Sequence, residues 1–250
     1  MTPVSLSATG GVATLLVDRR PSETWDLATI SALASGLGDA ERQGARVAVL
    51  AAAGDVFCAG GEIGGPAAGV SVAEHRARYA DAFVELDRAL RTSAVPVVAK
   101  VRGPANAGGL GVVAMCDVVV AGSTASFATP EVRGGMFPLI AMGMLHPHLS
   151  PRRAFSLFYG GEPLGPAEAV AAGLATEAVD DADLDDAVAR WCDQLLAADP
   201  RAVAIGRRAY WAMADAAPGD RAAIGGKALR ELISTSDATP DQSYMQRALE

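Results

Sequence analysis

Two β-branched runs that break abruptly into glycine constrain this chain more than any other feature. Val47-Ala48-Val49-Leu50 leads into Phe57-Cys58-Ala59-Gly60-Gly61-Glu62-Ile63, and Val95-Pro96-Val97-Val98-Ala99-Lys100-Val101 leads into the segment from Gly103 to Gly111. Short apolar runs of this kind, bounded by turn residues, suit strands buried on both faces. Glycines at their ends let backbone N–H groups approach a ligand with no Cβ in between. Two such groups converging on one carbonyl oxygen would make an oxyanion hole. One carboxylate, Glu131, follows in Phe127-Ala128-Thr129-Pro130-Glu131. An activated carbonyl and a single base suffice for enolate chemistry.

The remaining pattern builds around these breaks. Val4 to Ser7 and Val12 to Asp18, joined at Thr9-Gly10-Gly11, predict a hairpin. Leu27, Ile30, Leu33 and Leu37 recur at helical spacing, and Tyr79, Phe83, Leu86 and Leu90 do so within a helix predicted over 75–92. A short helix is predicted over 108–115 and a buried strand over 117–121. Strands and helices alternating through crossovers predict an α/β fold, with helices covering a parallel sheet. After Glu131 the strand signal nearly vanishes. Helices are predicted near 139–147, 152–160, 166–172, 183–197, 200–214 and 221–234. A soft boundary between Ala197 and Pro200, where a helix should stop, divides a core of 1–197 from a helical region of 198–250.

Charge and composition narrow the partners. A net charge of −8 argues against nucleic acid, whose phosphates demand a basic face. No stretch of about 18 uncharged apolar residues suggests a membrane span, and the N-terminal residues lack the basic-then-apolar order of a secretory leader. Three cysteines, Cys58, Cys116 and Cys192, are widely spaced and odd in number. That usage suits reduced thiols in a cytoplasm, and the spacing suits no metal site.

Five segments in order carry a resemblance to the enoyl-CoA hydratase/isomerase, or crotonase, family. They are Arg20-Pro21 with Leu27; Phe57 to Ile63; Gly103-Pro104-Ala105-Asn106-Ala107-Gly108-Gly109-Leu110-Gly111 ending at Met115-Cys116-Asp117; Phe127 to Glu131 with Gly134 and Pro138; and Ala167-Glu168-Ala169-Val170-Ala171-Ala172-Gly173-Leu174. The resemblance implies a crotonase-like spiral of ββα units and a helical C-terminal region used in trimers or dimers of trimers. It also implies acyl-CoA substrates, with coenzyme A part of the substrate rather than a cofactor. By position, the oxyanion donors would be the N–H groups of Gly61 and Gly108, the second at a helix start that favours an anion. The family places substrate along Ala59, Gly61, Glu62, Ile63 and Gly64, with Leu27 nearby. Gly111 stands where hydratases of the family carry a first glutamate, and Glu131 matches the second. Gly64 replaces a lysine frequent in the family, so Arg19, Arg20 or Arg247 is expected to meet the CoA phosphates.

With one carboxylate, water loses an anchor, yet a proton can still be moved between two carbons of the acyl chain. Hydratase and isomerase both stay open, as do a decarboxylase or thioester hydrolase on the same scaffold and an acyl-CoA binding protein without chemistry. Asp26, Glu62 and Asp117 read as loop or cap hydrogen-bonders. Trp25, Cys58 and Cys116 read as packing residues, and His75 as the histidine nearest to a role. Met136-Phe137-Pro138-Leu139-Ile140, Met142 and Met144 read as pocket lining, subunit contact or core.

Overall fold

A computed structural model describes residues 3–62 and 69–234. In chain order it contains β1 (Val4–Thr9), β2 (Val12–Val17), β3 (Thr24–Trp25), α1 (Leu27–Arg42), β4 (Val47–Ala52), β5 (Gly60–Gly61), α2 (Val72–Thr92), β6 (Val97–Val101), β7 (Pro104–Asn106), α3 (Gly108–Ala114), β8 (Val118–Ala121) and β9 (Ser126–Ala128). A 3₁₀ turn over Pro130–Gly134 follows, then α4 (Leu139–Leu145), α5 (Pro151–Gly160), α6 (Pro166–Ala172), β10 (Glu177–Ala178), α7 (Leu184–Ala197), α8 (Pro200–Ala214) and α9 (Arg221–Ser234).

The main sheet runs β1-β2-β4-β6-β8-β10. Only β1 is antiparallel, pairing with β2 across Gly10 and Gly11, both of which adopt positive φ; glycine takes such a turn without a Cβ clash. Every later neighbour is parallel. After each of β2, β4 and β6 the chain adds a short strand and then a helix. The short strands form their own layer: Trp25 pairs with Gly61, Cys58 bridges Ala105, Ala105 pairs with Phe127, and Phe127 bridges Leu164. The repeating unit is therefore ββα, as the resemblance implied. The repeat is invisible in sequence because its second strand is only two or three residues long.

Alternation along each main strand builds two cores. Leu15, Ala48, Leu50, Val97 and Ala99 pack under α1, α2 and α3 with Ile30, Leu33, Leu86, Leu90 and Leu110. Val47, Val49, Val98, Val118 and Val120 face the other way, onto Leu184, Ala187, Val188 and Cys192 of α7. Both faces are covered, hence the near-continuous apolar runs. Helix starts follow from capping chemistry. The Asp26 carboxylate accepts from Thr29 N–H at 2.8 Å, and Ser71 Oγ accepts from Glu74 N–H at 3.1 Å. Asp199 caps α8 in front of Pro200.

α8 is bolted to the sheet. The Arg207 side chain, 5% exposed, donates from Nε to both Asp117 oxygens at 2.8 and 2.9 Å. It also donates to the carbonyls of Leu90 and Ser93 at the end of α2, where terminal carbonyls lack intrahelical partners. Asp117 accepts Val97 N–H at 2.7 Å as well. This carboxylate is a structural anchor, matching its reading as a hydrogen-bonder. Arg207→Ala takes one partner from Asp117, which keeps Val97 N–H, and leaves the Leu90 and Ser93 carbonyls without this donor, so a loss of about 1–3 kcal/mol is expected, readable as a lowered urea midpoint.

Candidate active site

The two glycine breaks and the segment carrying Glu131 come together in one cleft of about 290 Å³, lined by Gly61, Gly108, Glu131, Tyr79, Phe83 and the stretch from Met136 to Ile140. Each glycine is held by the fold. In the β3–β5 ladder Trp25 stands opposite Gly61, and its carbonyl accepts from Glu62 N–H at 3.0 Å. Ladder bonds of a parallel pair are slanted between staggered residues; Gly61 thus turns its own N–H away from β3. Gly108 is the first residue of α3, so no intrahelical carbonyl can take its N–H. Ala107, just before it, has φ 56° and ψ −129°, a strained conformation for a residue with a Cβ. Its N–H, bonded to the Ala128 carbonyl at 2.9 Å, helps to hold it there.

Neither glycine leaves room for a side chain. A Cβ on Gly61 would lie 2.1 Å from Tyr79 Oη, and one on Gly108 would lie 2.4 Å from Phe83 Cζ. Tyr79 and Phe83 sit one turn apart on α2, ring centroids 5.3 Å apart and edge to face. Sequence reasoning placed these rings on the buried face of α2 but saw no partner for them. It singled out His75 on the same helix, which does not line the cleft.

Glu131 enters from the 3₁₀ turn that follows β9. Its Oε2 is buried with no hydrogen-bond partner among the described residues. Burial raises its pKa above the ordinary carboxylate value, against a smaller lowering by its own backbone N–H; the environment disfavours the charged form. Among the described residues, Tyr79 and Glu131 are the titratable side chains on the cleft wall, and burial pushes the Tyr79 hydroxyl further up.

The other expected contacts distribute unevenly. Ala59 lines the cleft. Glu62 is exposed and holds Arg19 at 2.9 Å. Leu27 opens α1 and packs, partly buried, against the core rather than the cleft. Ile63, Gly64 and Arg247 lie outside the described residues. Gly111 is buried in α3, where a Cβ would stand 2.8 Å from Met144 Sδ and 3.2 Å from Ala141 Cα of α4. Gly111 does not line the cleft among the described residues, and a side chain there would first meet the flexible end of Met144. Arg19 already binds Asp26, Glu62 and the Thr24 carbonyl, and Arg20 binds Asp18. Cys58 is packed under Gly109, its thiol pushed up to about 12 by burial, which suits packing rather than reactivity. Among the described residues no cluster fits a metal ion, and no helix is long and apolar enough to cross a membrane.

The profile of the Enoyl-CoA hydratase/isomerase family matches residues 7–245. The chain is 29% identical over 201 residues to the rat "Enoyl-CoA hydratase domain-containing protein 3, mitochondrial", covering 79% of this chain and 66% of that protein. It is 29% identical over 199 residues to a cyclohexa-1,5-dienecarbonyl-CoA hydratase of Thauera aromatica, covering 78% and 73%. A solved enoyl-CoA hydratase of Mycobacterium smegmatis superposes with a TM-score of 0.90 at 27% identity over 98% of this chain and 96% of that one. The human enoyl-CoA hydratase domain-containing protein 3 superposes with a TM-score of 0.88 at 25% identity, over 94% and 93%.

Proposed function

The chain belongs to the enoyl-CoA hydratase/isomerase family, and from that premise we propose an acyl-CoA enzyme that works through an enolate, with Glu131 as its only acid/base. The observation that carries this reading is one cleft holding Gly61, Gly108 and a buried carboxylate oxygen with no partner among the described residues. The thioester oxygen accepts from the two glycine N–H groups, which are matched to the charge that develops there. Glu131 takes a proton from the carbon beside the thioester, and the electron pair is held as the enolate. The same carboxyl returns the proton further along the chain, moving a double bond into conjugation. Coenzyme A is part of the substrate, and the reaction needs no further cofactor.

The single carboxylate favours this isomerisation over water addition. The family's first glutamate falls at position 111, where this chain has glycine, and a Cβ there would already meet Met144 Sδ at 2.8 Å. Hydration stays a second reading because a relative 29% identical to this chain is named as a hydratase. Assays with 3-enoyl- and 2-enoyl-CoA esters separate the two: isomerisation consumes the first without added water, and hydration consumes the second. Release of free CoA or CO₂ would point instead to a hydrolase or decarboxylase, and tight ester binding with no turnover to a binding protein.

The surface of α9 supports self-association. α9 buries none of its residues within the chain and exposes Leu229 and Ile233. Light scattering is expected to give a trimer or a dimer of trimers; a monomer at micromolar concentration would rule this out.

A further inference from the structure

Gly61 and Gly108 are each backed by one aromatic side chain of α2. Tyr79 Oη lies so close to Gly61 that a Cβ there would stand 2.1 Å away, and Phe83 Cζ does the same to Gly108 at 2.4 Å. The rings touch edge to face, centroids 5.3 Å apart. Tyr79 is 4% exposed and Phe83 2%, which fixes their rotamers by packing. The Tyr79 hydroxyl donates to the Trp25 carbonyl at 3.1 Å. That carbonyl also accepts from Glu62 N–H at 3.0 Å, and Trp25 is the residue paired with Gly61. The hydroxyl therefore pins the short ladder that turns the Gly61 N–H away from β3. Phe83 presses on the first residue of α3, whose N–H direction follows the orientation of that helix end.

We propose that Tyr79 and Phe83 are positioning residues that set the spacing and aim of the Gly61 and Gly108 amides as one unit. The inference rests on the oxyanion reading of the cleft and adds to it a part for α2. Neither ring needs to touch the reacting atoms, since both act through the backbone they support. An oxyanion donor displaced by a fraction of an ångström loses most of its effect, because catalysis depends on donors fixed where charge will develop.

The test uses Tyr79→Phe, which keeps the ring and removes only the hydroxyl, and Phe83→Leu, which withdraws the support at Gly108. The probe is p-dimethylaminocinnamoyl-CoA, whose absorption moves to the red when hydrogen bonds polarise its thioester carbonyl. Both variants are expected to bind it within about 3-fold of wild type, with a diminished red shift. With the turned-over enoyl ester, kcat is expected to fall roughly 10–100-fold with KM little changed, as for a misplaced oxyanion donor. A melting temperature lowered while the red shift and kcat of the folded enzyme match wild type would make the rings mere packing and overturn the proposal. Should Tyr79→Phe not fold, the Phe83→Leu readings decide alone by the same criteria. A wild type that binds the probe with no red shift would overturn the oxyanion reading itself, and this inference with it. A full red shift retained in both variants would leave that reading standing and remove only this one.

Discussion

Glu131→Gln is expected to lower turnover by about 10²–10⁴-fold, the worth of a positioned general base, while CoA-ester affinity changes little. Glutamine keeps the shape of the side chain and discards its ability to take a proton. The variant should also gain stability at neutral pH. Burial raises the folded pKa of Glu131, so the folded protein prefers the protonated carboxyl more than the unfolded chain does. The stability arising from that preference is fully present below the ordinary carboxylate pKa and is lost as pH rises through the raised folded value. Glutamine mimics the protonated form and escapes this loss. Thermal unfolding at pH 5 and pH 8 should therefore show the variant's advantage growing with pH. The same shift predicts that wild-type kcat climbs with pH through a value above the usual carboxylate range. Turnover by Glu131→Gln equal to wild type would take Glu131 out of the chemistry.

The second large effect concerns the glycines. Gly108→Ala drives a methyl into Phe83 and Gly61→Ala drives one into Tyr79. Overpacking of this kind costs about 1–3 kcal/mol. Losing an oxyanion donor altogether costs roughly 10²–10³ in kcat, the upper bound for one pushed off its line. Stability and rate can be separated with the double variant Gly108→Ala/Phe83→Leu, which makes room for the methyl. We expect the double variant to recover much of the melting temperature and little of kcat, because added space does not re-aim the amide. Full recovery of both would mean that Gly108 serves packing alone.

How far the sequence revealed this arrangement depends on the length scale of each signal. Val47–Ala52 was legible as a strand because both its faces are buried and six apolar residues in a row admit few other fates. The helices expected near 166–172 and 200–214 form there, begun by Pro166 and Pro200, and Gly173 ends the first with φ 79°. β3 and β5 were not legible: two residues carry no period, and glycine has little strand propensity, so their pairing is imposed by the layer they join. β10, at Glu177–Ala178, was missed for the same reason. Glu131 and the two glycines were singled out by the strand breaks and by resemblance, but the burial of the carboxylate with no partner among the described residues is a tertiary fact. Gly111 shows the opposite case. Its identity as a missing glutamate was plain, while its burial against α4 depends on Met144, 33 positions away along the chain. Tyr79 and Phe83 were visible as a helix face and silent about what they faced.

The bolt formed by Arg207 has a consequence for how the molecule can deform. α2 spans 21 residues, roughly 31 Å at about 1.5 Å per residue. Its C-terminal carbonyls are gripped from α8, while its middle carries the two rings that prop up the glycine backbones. A lever anchored at one end and bearing at its centre transmits tilt in a single stroke. Whatever shifts α8, a neighbouring copy included, would thus move both amides together, so the pair should be found aligned or spoiled jointly, seldom half-broken.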